Sequence, residues 1–163
     1  MTFSPALLKL AAAILDETRA KGLHLATAES CTGGLIAGLL TEIPGSSDVL
    51  DRGFVTYSDE AKEAMLGVPH GLIVAHGAVS AEVATAMAEG TLSHTLAQLS
   101  VAVTGIAGPG GGSPDKPVGL VHFAVARRDG QILRQERRFG DLGRSQVRLK
   151  SVEAALLLLR KVL

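Results

Sequence analysis

Three clusters in this chain carry side chains capable of chemistry. The first is ATAESCTGG, Ala26 to Gly34, which crowds Ser30, Cys31 and Thr32 against a glycine pair between two apolar runs. Read as a strand-to-helix turn, it sets the Ser30 hydroxyl beside the unpaired N–H groups that open a helix, where negative charge is favoured. Those donors could face an oxyanion developing on a carbonyl under attack, or a substrate phosphate. Gly33 and Gly34 would let a ligand approach the backbone. The plainer alternative is that Ser30 or Thr32 only caps the helix.

The second cluster is Tyr57 and Lys62 in YSDEAK. A neutral lysine is a competent base for a serine, but its ordinary pKa of about 10.4 must first fall, which burial or a nearby cation achieves. The alternative is a solvated helix lysine. The third cluster is TGIAGPGGGS, Thr104 to Ser113. It follows the most apolar segment, where open α/β sheets place ligand sites. No Gly-Lys-Ser/Thr follows, and the prolines disfavour an immediate helix, so it is neither a Walker loop nor a dinucleotide fingerprint. A structureless stretch from Gly105 to Pro117 favours a binding loop over a plain turn.

Arg144 and Arg148, four apart at the start of the last helix, share a face and suit a phosphate or carboxylate. Exposed helix arginines are also common. Cys31 rivals Ser30 as nucleophile because a thiolate is the more reactive group, although consecutive residues rarely share an aim. Glu29 and His76 are expected to hold loops. The five histidines have no ligand spacing and Cys31 has no cysteine partner, so no metal site is expected.

The elements that must position these groups follow from pattern. Ser4 and Pro5 open an amphipathic helix that Gly22 stops. Leu23 to Glu29 reads as a buried strand, Leu35 to Ile43 as a helix ended by Pro44-Gly45, and Phe54 to Tyr57 as a strand. Ser58 caps a helix from Asp59 to about Leu66, and Ser80 caps another from Ala81 to about Leu96. Leu99 to Thr104 has the continuous apolar character of a central strand. Val118 to Arg127 and Gln131 to Phe139 flank Asp129-Gly130, a hairpin signal, and Arg144 to Leu163 closes the chain as a helix. Helices and strands alternate, then a hairpin and a helix follow. That order predicts an α/β fold, a three-layer α/β/α sandwich with a mixed sheet.

Composition bounds the rest. A chain of 163 residues suits one domain. With 47% hydrophobic but only 3% aromatic residues, the core must be built from Ala, Val, Leu and Ile. Sixteen basic residues offset sixteen acidic ones, which disfavours nucleic acid as the main partner. No apolar run is long enough to span a bilayer, and a single cysteine gives no disulfide framework, so no membrane is expected and a reducing cytoplasm is the expected compartment.

The motifs AESCTGG, PGSS (Pro44 to Ser47), YSDEAK, LGVP, HGAVS (His76 to Ser80) and VTGIAGPGGGSPDKPVG occur here in an order that resembles the CinA C-terminal domain family. The likeness runs from about Leu23 to Arg148, with Asp59 where relatives usually carry Asn. It implies an α/β/α fold and hydrolysis of the carboxamide of nicotinamide mononucleotide, giving nicotinate mononucleotide and ammonia. It further implies Ser30 as nucleophile, Lys62 as its base, and Tyr57 assisting proton transfer or holding Lys62. Ser47 and Thr104 would bond near the reacting group, with Gly33, Gly34 and Gly105 beside the substrate and Arg144 on the nucleotide. No metal or other cofactor is implied, the partner is a small mononucleotide, and a homodimer or higher assembly is expected. In many relatives a larger N-terminal domain precedes this one, and the chain is expected to be the stand-alone form. The competing reading is a non-catalytic nucleotide-binding or regulatory module, since a fold alone does not fix function.

Overall fold

All five residues of β1 (Leu25–Glu29) are buried, as are the first six of β3 (Leu99–Gly105), because these strands are covered on both faces. A computed structural model describes residues 3–163. β2 (Leu50–Val55) and β3 flank β1 in parallel, while β4 (Leu120–Arg127) and β5 (Ile132–Arg138) continue the sheet antiparallel beyond β3. The strand order is β2-β1-β3-β4-β5. Edge strand β5 reads ILRQERR, and its charged side chains oppose pairing with another chain.

α1 (Pro5–Ala20), α2 (Leu35–Thr41) and α6 (Arg144–Arg160) cover one face through a core that includes Ile14, Leu39, Val101, Phe123 and Leu156. α3 (Asp59–Leu66), α4 (His70–His76) and α5 (Ala81–Ser93) cover the other. On that face the strands present Ala28, Ala102 and Ala124 to Val83, Ala84 and Met87 of α5. The three layers and the mixed sheet are those expected. α5 also lies close against α3, for a Cβ built on Gly90 would stand 2.1 Å from the Leu66 carbonyl oxygen. That approach helps seat α3, which carries Lys62. No helix among the described residues is long and apolar enough to cross a membrane.

The predicted caps form: the Ser4, Ser58 and Ser80 hydroxyls accept from the N–H groups of Leu7, Ala61 and Val83 at 3.3, 3.0 and 3.2 Å. Other boundaries differ. β2 spans Leu50–Val55 rather than Phe54 to Tyr57, because pairing with β1 carries the polar Asp51-Arg52-Gly53 along an edge where they stay wet. α2 stops at Thr41, short of Ile43, α5 stops at Ser93, short of Leu96, and β4 starts at Leu120 rather than Val118. α4, a seven-residue helix with no side-chain cap, was outside the predicted set.

Candidate active site

The turn after β1 is built around Glu29. This residue is wholly buried, and its carboxylate accepts from the N–H groups of Gly34, Ile36 and Ala37 at 3.1, 3.0 and 2.9 Å. The Thr27 hydroxyl adds a fourth bond at 3.3 Å. The donors opening α2, expected to face a ligand, are thus taken by the chain's own carboxylate. Neither Ser30 nor Thr32 caps α2: Gly34 is the N-cap, with no side-chain bond there. The Gly33 N–H donates to the Ser30 carbonyl at 3.0 Å, closing a tight turn. Gly33 and Gly34 have φ of +59° and +92°, a region L side chains avoid. Their glycines serve the shape of this turn.

Ala28 faces the α5 layer, so Ser30, two residues on, faces it too. There it meets Lys62, which the second turn of α3 directs back over the strand ends. Lys62 Nζ lies 3.3 Å from Ser30 Oγ. It also lies 3.1 Å from the Thr56 carbonyl oxygen and 3.4 Å from that of Ser58. Lys62 is 1% exposed and Ser30 8%. Burial drives the Lys62 pKa below its ordinary value, against the opposing pull of the Asp59 carboxylate 3.8 Å away. The three acceptors suit either protonation state. An ammonium donates to all three; a neutral amine donates to the two carbonyls and turns its lone pair to the Ser30 hydroxyl.

Cys31 points the other way, into the core shared with α1, α2 and α6. Burial pushes its thiol up to about 12, so it stays protonated at neutral pH. Of the two candidate nucleophiles, only Ser30 has a base beside it.

Tyr57 is 59% exposed, and its hydroxyl accepts from Arg144 Nη2 at 2.6 Å. The groups holding Lys62 are the carbonyls on either side of Tyr57. Arg144 Nη1 donates to the Gly108 carbonyl at 3.0 Å, so this side chain bridges the glycine loop and the entry to α3. Arg148 donates from Nε to the Cys31 carbonyl at 3.1 Å and from Nη2 to that of Thr32 at 2.9 Å. All these acceptors are neutral, so both guanidinium charges stand unbalanced by a bonded carboxylate, close to Ser30.

Thr104 lies on β3, one residue beyond the Glu29–Val103 pair, which sets it beside Ser30 across the sheet. Its hydroxyl donates to the Ala78 carbonyl at 2.8 Å and ties down the linker before α5. Gly105 ends β3, where a Cβ would come within 2.7 Å of the Val121 side chain. His122 continues the same row on β4, its pKa lowered by burial. His76 Nδ1 stands 3.7 Å from Glu82, and its carbonyl receives Lys116 Nζ. Ser47 is placed apart from the others. It is exposed in the 3-10 turn Ser46–Asp48 that leads into β2, at the sheet end opposite Ser30. The structure thus brings together Ser30, Lys62, Tyr57, Thr104, Gly33, Gly34, Gly105 and Arg144, and leaves Ser47 outside.

Comparison with known proteins identifies the family of this fold. A family model described as the CinA C-terminal domain matches residues 7–163. A CinA-like protein from Synechococcus sp. (strain RCC307) is 53% identical over 152 residues, which is 93% of this chain and 36% of that protein. This chain therefore spans about a third of the length of the curated relatives it matches. Among solved structures, a competence/damage-inducible protein from Agrobacterium tumefaciens superposes with a TM-score of 0.97 at 52% identity, covering 99% of this chain and 98% of that one. A CinA superfamily protein from Escherichia coli does so with a TM-score of 0.92 at 33% identity, covering 100% and 95%. The chain belongs to the CinA C-terminal domain family.

Proposed function

We propose that this chain is an amidohydrolase that deamidates nicotinamide mononucleotide through a serine ester. The observation carrying the reading is the buried Lys62 amine 3.3 Å from the Ser30 hydroxyl. Burial shifts a lysine beside a hydroxyl toward its neutral form, the form that can accept a proton. As Ser30 Oγ bonds to the carboxamide carbon, its proton passes to Lys62 and the carbonyl π pair moves onto oxygen. When the pair returns, the C–N bond breaks and Lys62 gives the proton to the departing nitrogen, which leaves as ammonia. Water then attacks the ester with Lys62 again as base, releasing the carboxylate and restoring the serine.

The unbalanced Arg144 and Arg148 charges favour a ligand with an anionic group such as a phosphate. The pyridinium of this substrate withdraws electrons from its carboxamide, and its positive charge would further disfavour an ammonium at Lys62. A module that only bound nucleotides would have no use for a desolvated amine beside a hydroxyl. The test is ammonia release from the mononucleotide. Wild type should turn over and Ser30→Ala should lose nearly all turnover while still binding the product. Full activity in Ser30→Ala rejects the serine ester, and an inert wild type rejects the amidase.

A further inference from the structure

The amidase reading needs a donor for the oxyanion, and the helix N-terminus cannot supply it, because Glu29 holds the Gly34, Ile36 and Ala37 amides. What remains in the turn are the N–H groups of Cys31 and Thr32. Neither donates to an acceptor elsewhere in the described chain; the Cys31 amide faces only its own thiol. Thr32 is wholly buried, and its hydroxyl also has no partner. Buried polar groups are almost always satisfied, so two orphans on one residue, two places after the nucleophile, need an occupant to complete them.

The direction of the Thr32 N–H follows from Arg148. In a trans peptide the carbonyl and the following N–H point opposite ways. Arg148 reaches from α6 and draws the Cys31 carbonyl toward itself at 3.1 Å, so the Thr32 N–H is turned away from α6. That is toward the layer of α3 and α5, where Ser30 and Lys62 meet. The second donation, to the Thr32 carbonyl at 2.9 Å, fixes the next peptide as well. The planar fork of arginine can hold both carbonyls at once, which the point charge of lysine cannot do. A Cβ at Gly33 would stand 3.3 Å from Arg148 Nη2, so the guanidinium lies directly against the turn.

We propose that the Thr32 amide is a donor of the oxyanion site and that Arg148 is a positioning residue that aims it. It deepens the amidase reading and rests on it. Arg144 and Arg148, alike in sequence, then divide their work: Arg144 meets the ligand, and Arg148 holds the backbone behind the nucleophile.

The test compares Arg148→Lys and Arg148→Ala with wild type in two assays, ammonia release and labelling of Ser30 by a fluorophosphonate, followed by intact mass. Losing an oxyanion donor lowers kcat by about 10²–10³-fold, so kcat should fall at least a hundredfold in both variants while KM moves less than threefold. Added guanidinium should restore part of the rate in Arg148→Ala, and Lys should fail to substitute. A raised KM with unchanged kcat overturns the proposal in favour of direct phosphate binding, and unchanged kinetics overturn it outright. Fluorophosphonate labelling needs the hydroxyl, base and oxyanion donors but no amide. A wild type that labels at Ser30 yet releases no ammonia therefore rejects the amidase reading. The labelling rates of the variants then still decide the role of Arg148: a hundredfold slowing supports it and equal rates reject it.

Discussion

Replacing Glu29 by Gln tests whether one buried carboxylate holds both the start of α2 and the nucleophile turn. Each Glu29 oxygen has two donors: Oε2 accepts from Gly34 and Ile36, and Oε1 from Ala37 and the Thr27 hydroxyl. Glutamine keeps one acceptor oxygen and presents N–H bonds at the other position. The less damaging orientation puts the amide nitrogen at Oε1, because the Thr27 hydroxyl can rotate to accept, and leaves the Ala37 N–H facing a donor. The loss is one hydrogen bond to a charged acceptor and one part-buried unsatisfied donor, together about 2–4 kcal/mol. At about 2–4 °C per kcal/mol for a domain of this size, the Tm should fall by roughly 4–16 °C. Thermal unfolding followed by circular dichroism at neutral pH reads this directly. A Glu29→Gln protein melting within 2 °C of wild type would refute the reasoning, since Glu29 is the acceptor of all three amides among the described residues.

Arg144→Ala should raise KM for the mononucleotide by tenfold or more and change kcat only a few fold, because its guanidinium bonds only neutral groups, the Gly108 carbonyl and the exposed Tyr57 hydroxyl; an unchanged KM would reject phosphate contact. Cys31→Ala should keep at least a tenth of wild-type kcat, and iodoacetamide should leave the native protein active, since the thiol is buried with its pKa pushed up to about 12; rapid inactivation by iodoacetamide together with loss of turnover in Cys31→Ala would move the nucleophile by one residue. The pH profile of kcat/KM should rise with pH and level off at an apparent pKa below the ordinary lysine value of about 10.4. The sign follows from burial, which lowers the Lys62 pKa, so the working neutral form gains as pH rises through that lowered value. A profile whose rise is centred at or above the ordinary lysine value would contradict it.

Much of this site was legible before any coordinates, for identifiable reasons. Ser30 and Lys62 stand beside local punctuation, a glycine pair and a Ser58 cap, that fixes where a strand ends and a helix begins. Tyr57 was legible as a neighbour of the base, yet its hydroxyl goes to Arg144 from a helix 87 residues away, a partner no local pattern encodes. The sequence marks Glu29 only as a residue that holds a loop, and its task depends on α2 folding back over β1 so that three amides converge on one carboxylate. A buried acid directly before a glycine turn was the signal available for that. The roles of Arg144 and Arg148 are indistinguishable in sequence because helical spacing reports a shared face, while reach across the strand ends depends on how α6 packs. Ser47 adjoins the motifs of the site in family order, but parallel pairing of β1 with β2 puts the residues entering β2 at the opposite end of the sheet. The edge strand β2 lacks an apolar pattern over Asp51-Arg52-Gly53 because its outer side is wet and polar.

The protonation of the Lys62 amine can be read without any substrate. In protein labelled with 15N at lysine Nζ, the Lys62 signal, assigned by its loss in Lys62→Met, should titrate below the ordinary lysine value and shift in Ser30→Ala. A Lys62 signal that titrates with the solvent-exposed lysines and ignores Ser30→Ala would contradict the account.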